Sequence, residues 1–557
     1  MFIAKKKIAG KEYYYLQQSI RAGDKIKSKS VAYLGKNKQE AEKKAKTIQK
    51  QMEKKFTDDT TLKTKPLSIE ELANFCKRKG FVYPSGEIYG GLGGFWDFGP
   101  LGVELKNNLK RQWWSYHIHQ RDDMVGIDGA IITNPQVWEA SGHVSSFVDV
   151  AVVCKKCGYK TKVDKHELES ARCDKCKSEY ENKGEFNPMF TTQVGPIKEE
   201  AIKAYLRPET AQLIFADFKL IQDNARLQVP FGIAQIGKSF RNELSPREFI
   251  FRCREFEQME IEYFISPNLP CPYIEETKTV DILIYDQEMQ KNKKEPQMMN
   301  LYQTFKKGII KTDWHAYWIA QEFDWFIKLG ANPLNFRARQ HTAQEKSHYA
   351  VDTWDLEYKF PMGWRELQGF ANRGNFDLTQ HQNHAKTNME LLDTNNKKFI
   401  PHVVCEPSLG VERALLVFLF DSYYHDQKRD NTVLKLHPKL APYKAAVFPI
   451  IKQPQYTALA EQIVKELREE YVINYDKSGS IGRRYARNDE IGTPYCITVD
   501  EQSLKDKEVT IRDRDTTTQI RVAQAKLKET LRKLINQEIK FTDAGKKVVT
   551  RVKEIQP

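Results

Sequence analysis

GKSFRNELSPREFIFRCREFEQMEIEY, residues Gly237 to Tyr263, is the stretch on which the reading of the fold turns. It reads as two strands joined by a turn at Ser245-Pro246-Arg247, with arginine, glutamate and phenylalanine at nearly alternate positions in both arms. Successive strand side chains point to opposite faces. Arg252, Arg254 and Phe256 would then share one face, and Cys253, Glu255 and Glu257 the other. Charges of both signs with rings between them suit a ligand that is itself both anionic and cationic. A solvated, salt-bridged hairpin has the same composition, so its surroundings must decide.

At 557 residues the chain exceeds one core, and three or four domains are expected. No run of about 18 apolar residues is present to span a membrane. The N-terminus lacks an apolar signal core, and a cytoplasmic chain is expected. Four of the nine cysteines form CxxC pairs, which fits a metal in a reducing compartment better than a disulfide framework. Residues 1–56 hold sixteen basic against five acidic side chains, so they carry +11 of the chain's formal +14.

In that basic segment KEYYYLQQSIRAGDKIKSKSVAYLGK reads as two strands around Ala22-Gly23-Asp24. Lys38 to Phe56 reads as a helix, with Ala41, Ala45, Ile48 and Met52 at helical spacing. A basic ββα unit over residues 1–65 with Tyr13, Tyr14 and Tyr15 suits a phosphate backbone and stacked bases. A solubilising arm is the competing reading. Lysine-rich hairpins are unlike the Arg-rich amphipathic presequences of mitochondria. Thr57 to Pro66 reads as a linker.

A capping box, Ser68 with Glu71, predicts a helix that ends at Lys79-Gly80. YPSGEIYGGLGGFWDFGPLG follows as a glycine-rich turn region without the Lys-Ser/Thr tail of a P-loop. GVELKNNLKRQWWSYHI is an amphipathic helix on Leu105, Leu109 and Trp113, and GIDGAIITNP a strand ending at Pro135. Helix, strand and proline suit a subunit interface or an internal core equally. Cys154, Cys157, Cys173 and Cys176 stand as two CxxC knuckles 15 residues apart, the spacing of a structural four-thiolate zinc ribbon. Four thiolates leave the ion no open position, and so short and polar a segment needs a metal to fold.

AYLRPETAQLIFADFKLI then offers a short strand and, at Arg207-Pro208-Glu209-Thr210, a helix start. With EIYGG, WDFGPLGVELKNN, WEASGH, FRNE, FEQME, WRELQGFANRG, EPSLGVER and IGRRYARNDEIGTPY, these phrases carry a resemblance. From about Ser68 to the C-terminus the chain resembles the glycyl-tRNA synthetases, class II enzymes of the α2 dimer type. The resemblance implies an α+β catalytic domain, an antiparallel sheet with helices, over residues 66–440. A zinc-ribbon insertion would occupy about 150–180 and a polar insertion about 285–300. Motif 1, the GVELKNN helix and the strand to Pro135, would form the homodimer interface. Motif 2 would be the hairpin quoted first, and motif 3 CEPSLGVERALLVFLF.

The implied reaction joins glycine to tRNA(Gly) through a glycyl-adenylate, using ATP and Mg²⁺. Phosphate oxygens gain charge as the glycine carboxylate attacks, so guanidinium groups in fixed two-donor geometry do the catalytic work. By resemblance Arg241 holds the α-phosphate, and Arg252 and Arg413 the outer phosphates. Phe256 stacks under adenine and Glu243 accepts from its amine. Asn242, Phe251, Leu367, Gly410 and Glu412 complete the nucleotide set, and Glu366 is the Mg²⁺ candidate. Glu209, Glu260 and Glu406 surround the glycine ammonium, with Ser408 beside the α-carbon. Where the family shows an arginine after the first CxxC, this chain has Lys162, which keeps the charge without the fork. It is placed with the glycine set. The WRELQGFANRG segment that holds Glu366 also supplies Arg373 by resemblance.

From Ala441 to the end, strands and helices alternate, which predicts an α/β anticodon-binding domain with a mainly parallel sheet and a last helix over Ala523 to Ile539. Arg483, Arg484 and Arg487 are phosphate-contact candidates there. Two other readings remain: an inactive synthetase-like RNA-binding accessory protein, and a synthetase for another small amino acid. The complete arginine and glutamate sets count against both.

Overall fold

In a computed structural model, the structure describes residues 2–8, 11–22 and 25–35 by backbone, and residues 67–163, 168–197, 199–342, 345, 352–393 and 395–548 with side chains. Contacts divide the chain into two units, Met1–Leu67 and Ser68–Pro557. The first contains three antiparallel strands, Phe2–Ile8, Lys11–Ala22 and Lys25–Gly35, with the second in the middle. The expected hairpin around residues 22–24 is present and gains a third strand. The helix expected over Lys38 to Phe56 lies outside the described residues.

The second unit opens with α1 (Ile69–Lys79), which has the predicted capping box at Ser68 and a left-handed Gly80 at its end. Next come α2 (Pro100–Trp114), with Leu105, Leu109 and Trp113 buried, and β1 (Met124–Ile127). The run expected as one strand up to Pro135 is broken after Ile127. Ile132–Thr133 joins a different sheet, and Pro135 starts a helix. Proline at that first position gives up an N–H that would have no intrahelical partner.

The central sheet is built from β1, β2 (Phe231–Phe240), β3 (Glu255–Ile265), β4 (Asp281–Tyr285), β5 (Gln297–Asn300), β6 (Phe336–Gln340), β7 (Thr353–Phe360), β8 (Gly363–Ala371) and β9 (Glu406–Gly410). Across it they run β5-β4-β6-β7-β8-β9-β3-β2-β1, and His402–Val403 adds a short pairing with β3. Pairing is antiparallel except for β1 with β2 and β4 with β6.

In β3 the odd residues turn to one side, where Tyr263 meets Trp314 and Trp318 of α4 (Asp313–Lys328) at 5.0 and 5.3 Å between ring centroids. The even residues face the other side. There Phe264 packs on Phe215 of α3 (Ala211–Ala216) and on Phe218, leaving Phe256, Gln258, Glu260 and Glu262 on the same face. Two further helices complete the frame, α5 (Phe376–Ala385) and α6 (Val411–Ser422).

One expectation for the hairpin is corrected. Its strands close at Phe240 opposite Glu255, so residues 241–254 form a loop with a 3₁₀ turn at Phe249–Phe251. Arg252 and Arg254 are loop residues, and strand alternation does not place them. Arg254 braces the loop, its guanidinium donating to the carbonyls of Glu243 and Gly93 at 2.9 and 2.8 Å.

The C-terminal sheet orders as Ile473–Tyr475, Ala445–Pro449, Tyr495–Val499, Glu508–Asp513, Gln519–Ala523 and Lys546–Lys547. Only the first three are parallel. Helices Pro454–Leu467 and Ile481–Glu490 provide the crossovers that parallel strands need, whereas residues 514–518 return the chain directly and force antiparallel pairing. The last α-helix among the described residues is Leu527–Ile535, and it starts later than expected because residues up to Ala523 are taken by a strand.

Lys106 of α2 is 5% exposed and sits between Glu257 of β3 (3.2 Å) and Glu412 of α6 (2.9 Å). Glu412 also accepts from the Glu257 backbone N–H at 2.9 Å. Removing one member of such a buried set strands the others uncompensated. Lys106→Ala is expected to cost about 3–5 kcal/mol in denaturant unfolding; a loss below about 1 kcal/mol would show that the set does not secure the fold.

Candidate active site

Two sets of side chains meet on the even face of β3. The first is acidic. Glu209 lies in the segment leading into α3, and its neighbour Thr210 donates to Glu260 Oε2. Glu260 Oε1 accepts from Ser408 Oγ at 2.7 Å, Ser408 being the residue opposite it in the β9 register. Two residues along β9, on the same face, is Glu406. Arg373 donates to both of its oxygens, at 2.9 and 3.1 Å, and holds Asp377 at 2.7 and 2.8 Å. Gln212 Nε2 donates to Asp377 at 2.9 Å and to Glu209 Oε1 at 3.2 Å, and His143 Nε2 lies 3.3 Å from Glu209 Oε2. A continuous chain of hydrogen bonds thus joins Glu209 to Glu406.

The electrostatics are uneven. Burial pushes the Glu209 carboxyl up, but His143, Arg373 and Arg241 outweigh it and hold the group below the usual carboxylate range. Glu260 is raised by burial and by Glu209, against the hydrogen bonds from Thr210 and Ser408. Burial pushes Glu406 up to about 8, despite Arg373. Glu262, wholly buried, brings its carboxylate within 4.8 Å of those of Glu260 and Glu406, and among the described residues neither of its oxygens has a hydrogen-bond partner. Burial and then Glu406 raise it well above the ordinary value. The set holds more acid than its one guanidinium can balance.

The second set lines a cleft of about 270 Å³ that includes Lys162, Arg241, Glu243, Phe251, Arg252, Phe256, Glu366, Leu367, Ser408, Gly410, Glu412 and Arg413. Arg241 lies between Phe147 and Phe256, 5.7 and 5.5 Å from their ring centroids, with Nε donating to the Pro208 carbonyl at 2.9 Å. Arg413 lies 4.7 Å from the Phe251 ring centroid and pairs with Glu366 at 3.2 Å, which keeps that carboxyl low. Gly410 is the N-cap of α6, so the positive end of that helix opens on the cleft.

Three residues fall elsewhere than the sequence placed them. Lys162 binds Asp149 at 2.8 Å and reaches Glu243 at 3.9 Å, so it stands at the Glu243 end of the cleft rather than with the glutamates. Glu412 lines the cleft, but its carboxylate is taken up by Lys106 and the Glu257 N–H. Asn242 is exposed outside the lining, its backbone N–H donating to Pro188 O at 2.7 Å. Sequence reasoning missed His143, Gln212, Asp377 and Glu262. The first two lie inside WEASGH and RPETAQ, and the alternation of β3 was the available signal for Glu262.

The four CxxC sulfurs lie mutually within 4.8 Å, with Cys154 to Cys176 at 3.3 Å and Cys157 to Cys173 at 3.5 Å. Strands Asp149–Cys154, Lys160–Val163 and Tyr180–Phe186 form their own sheet around them. In the C-terminal domain Arg484 is buried and donates to the carbonyls of Pro449, Ile450 and Gly479, which removes it from the phosphate candidates. Arg487 pairs with Asp476, and Arg483 is exposed.

An antiparallel sheet whose central hairpin and adjoining strand-to-helix element frame an arginine-lined cleft, followed by an α/β domain, defines a class II aminoacyl-tRNA synthetase. Residues 190–422 match the family described as tRNA synthetase class II core domain (G, H, P, S and T), and residues 444–534 the anticodon binding domain. Among proteins similar to this chain is a glycine--tRNA ligase of Treponema denticola, 41% identical, the match covering 83% of this chain and 96% of the relative. Another, from Geobacillus thermodenitrificans, is 42% identical, with 84% and 98% covered. The chain belongs to the glycine--tRNA ligase family.

The raised Glu262 carboxyl has a sign in stability. Its neutral form is favoured in the fold, so the stability it contributes is complete below the ordinary carboxylate pKa and is lost as pH rises from there toward the folded value. Glu262→Gln abolishes that loss. In urea unfolding its advantage over the parent protein is expected to grow as pH rises above the ordinary carboxylate pKa; a pH-independent difference would mean that Glu262 is not held as the acid.

Proposed function

We propose that this chain charges tRNA(Gly) with glycine, activating the amino acid on ATP, and that the two sets described above are its glycine and nucleotide sites. The reading is carried by the convergence of Glu209, Glu260 and Glu406 beside the arginine-lined cleft, in a family whose named members are glycine--tRNA ligases.

Activation needs a carboxylate oxygen of glycine to attack the α-phosphorus while the bond to pyrophosphate breaks. Arg241, held by the Pro208 carbonyl and two rings, has its terminal nitrogens left to pair the α-phosphate with the incoming carboxylate. Arg252 and Arg413 hold the outer phosphates, and Phe256 with Glu243 takes the adenine. Class II synthetases use ATP with Mg²⁺, which when bound neutralises phosphate charge; the half-exposed Glu366 carboxylate is its candidate ligand here. The tRNA's terminal ribose hydroxyl then attacks the glycyl carbonyl and AMP leaves. No nucleophilic side chain enters either step.

Glycine presents an ammonium and no side chain. Glu209, held below the usual carboxylate range, supplies negative charge, Glu260 and Glu406 stand beside it as further acceptors, and Ser408 closes the space beside the α-carbon. Every competing amino acid is larger, so steric exclusion suffices where discrimination of a missing methylene would yield only about 1–3 kcal/mol. An inactive accessory role would leave the arginine set of the cleft without a purpose.

The four-cysteine cluster fits zinc. A tetrahedral ion with Zn–S bonds of about 2.3 Å spaces its sulfurs at about 3.8 Å, and the observed spacings lie close to that. Zinc would close the ribbon without entering the chemistry. Val103 of α2, with Ile131 and Ile132, presents exposed apolar surface around motif 1, which supports a homodimer. Cytoplasmic residence is the reading consistent with a set of thiols held for a metal.

Pyrophosphate exchange is expected with glycine and not with alanine, serine or proline. Glu406→Gln should raise the glycine KM at least about tenfold, the worth of one charged hydrogen bond, with the ATP KM kept. Exchange with alanine or serine, or an unmoved glycine KM, would remove the pocket reading. Elemental analysis and sedimentation of the purified protein are expected to give one zinc per chain and a dimer; a metal-free monomer would overturn both assignments.

A further inference from the structure

His143 is not required by the activation chemistry, in which no imidazole takes or gives a proton, yet its position is unusually well fixed. It opens the short helix His143–Ser146, directly after Gly142 in the left-handed conformation. Its carbonyl accepts from Asn187 Nδ2 at 2.9 Å. Its ring packs edge-on against Trp138 and Phe147, at centroid distances of 5.3 and 5.5 Å. With backbone and ring both held, the two nitrogens have fixed targets. Nδ1 lies 2.8 Å from Ser141 Oγ, and Nε2 lies 3.3 Å from Glu209 Oε2.

A carboxylate only accepts, which assigns a hydrogen to Nε2. A hydroxyl both donates and accepts, so Ser141 matches Nδ1 whether or not that nitrogen is protonated. The Nε2–H bond to Glu209 therefore survives either charge state of the ring. Groups acting on Glu209 besides His143 are Arg373 and Arg241, and His381 approaches through Gln212, whose Oε1 it meets at 3.0 Å.

Glu209 needs such a partner. Its side chain is a three-torsion rotor at the start of a six-residue helix, and ordering a rotor of this kind on binding costs affinity. His143 takes one oxygen and Gln212 the other, at 3.2 Å. Each oxygen keeps a second lone pair for an ammonium.

We propose that His143, backed by Ser141, is a positioning residue for the amino acid substrate: it holds the Glu209 carboxylate in the orientation that receives the ammonium of glycine. The inference rests on the reading of Glu209 as an ammonium ligand. The rival account is packing, in which the ring matters and its nitrogens do not. His143→Phe keeps a ring and removes both ring nitrogens, while His143→Gln keeps an N–H donor.

The test is pyrophosphate exchange by the full chain, varying glycine and ATP separately, with melting curves for each variant. His143→Phe is expected to raise the glycine KM about tenfold, the worth of one hydrogen bond to a charged group, leaving the ATP KM within about twofold. His143→Gln is expected to recover most of that loss, and Ser141→Ala to raise the glycine KM about threefold, as a weaker neutral contact would. An unchanged glycine KM in His143→Phe, or a parallel rise in both KM values, would overturn the proposal. If His143→Phe does not fold, Ser141→Ala decides, and an unmoved glycine KM there counts against it equally. Glu209→Gln separates the two levels: if it leaves the glycine KM unchanged, the pocket reading itself fails, whatever His143 does.

Discussion

A buried ammonium between two carboxylates sets the geometry of the catalytic unit. Lys106 comes from the motif 1 helix, Glu257 from the second strand of motif 2 and Glu412 from the motif 3 helix. None is exposed enough for water to replace a lost partner, so the three elements hold together in one arrangement only. Lys110 adds a second contact to Glu257 at 2.9 Å, and the Phe98 ring lies 4.2 Å from the Lys106 ammonium. The residues next in sequence show why this matters. Phe256 precedes Glu257 and Arg413 follows Glu412, and both line the cleft. Locking the carboxylates of Glu257 and Glu412 fixes the neighbouring residues that line the cleft.

A similar economy governs Arg207. It is wholly inside the protein, and its guanidinium donates to the carbonyls of Lys238 and Gly129 and to Gln235 Oε1. It therefore ties the segment before Glu209 to β2 and to the end of motif 1. A Cβ on Gly237 would lie 2.0 Å from the Arg207 guanidinium, so only glycine permits this staple. Placement of Glu209 thus depends on a residue two positions earlier that never faces the pocket.

The two halves of the site carry opposite charge and share one strand. Between them Gln258 accepts from Ser239 at 2.8 Å and donates to Ser408 at 3.3 Å, and Ser408 passes the chain on to Glu260. The basic cleft and the acidic pocket are thereby joined through neutral donors and acceptors, and Arg241 of the cleft still acts on the Glu209 carboxylate. Donors fixed in advance need no rearrangement as charge develops, which is the main source of electrostatic catalysis.

By itself the sequence determined the spacing of the two CxxC knuckles, and through the family resemblance that its contiguous phrases carry it implied the class II architecture and the main arginines and glutamates of the two sets. Helix starts such as Ser68 and the alternation of β3 were equally legible, being local. The ends of strands were not. Phe240 and Glu255 close the hairpin because residues 241–254 are captured by contacts with Gly93, Gly94 and Pro188, far away in the chain. Nor could spacing show that Lys162 serves the Glu243 end, that Glu412 is spent on Lys106, or that His143 meets Glu209, 66 positions further along the chain. Those assignments depend on which distant groups fill a carboxylate's remaining hydrogen-bonding capacity once it is buried, and only the packed chain decides that.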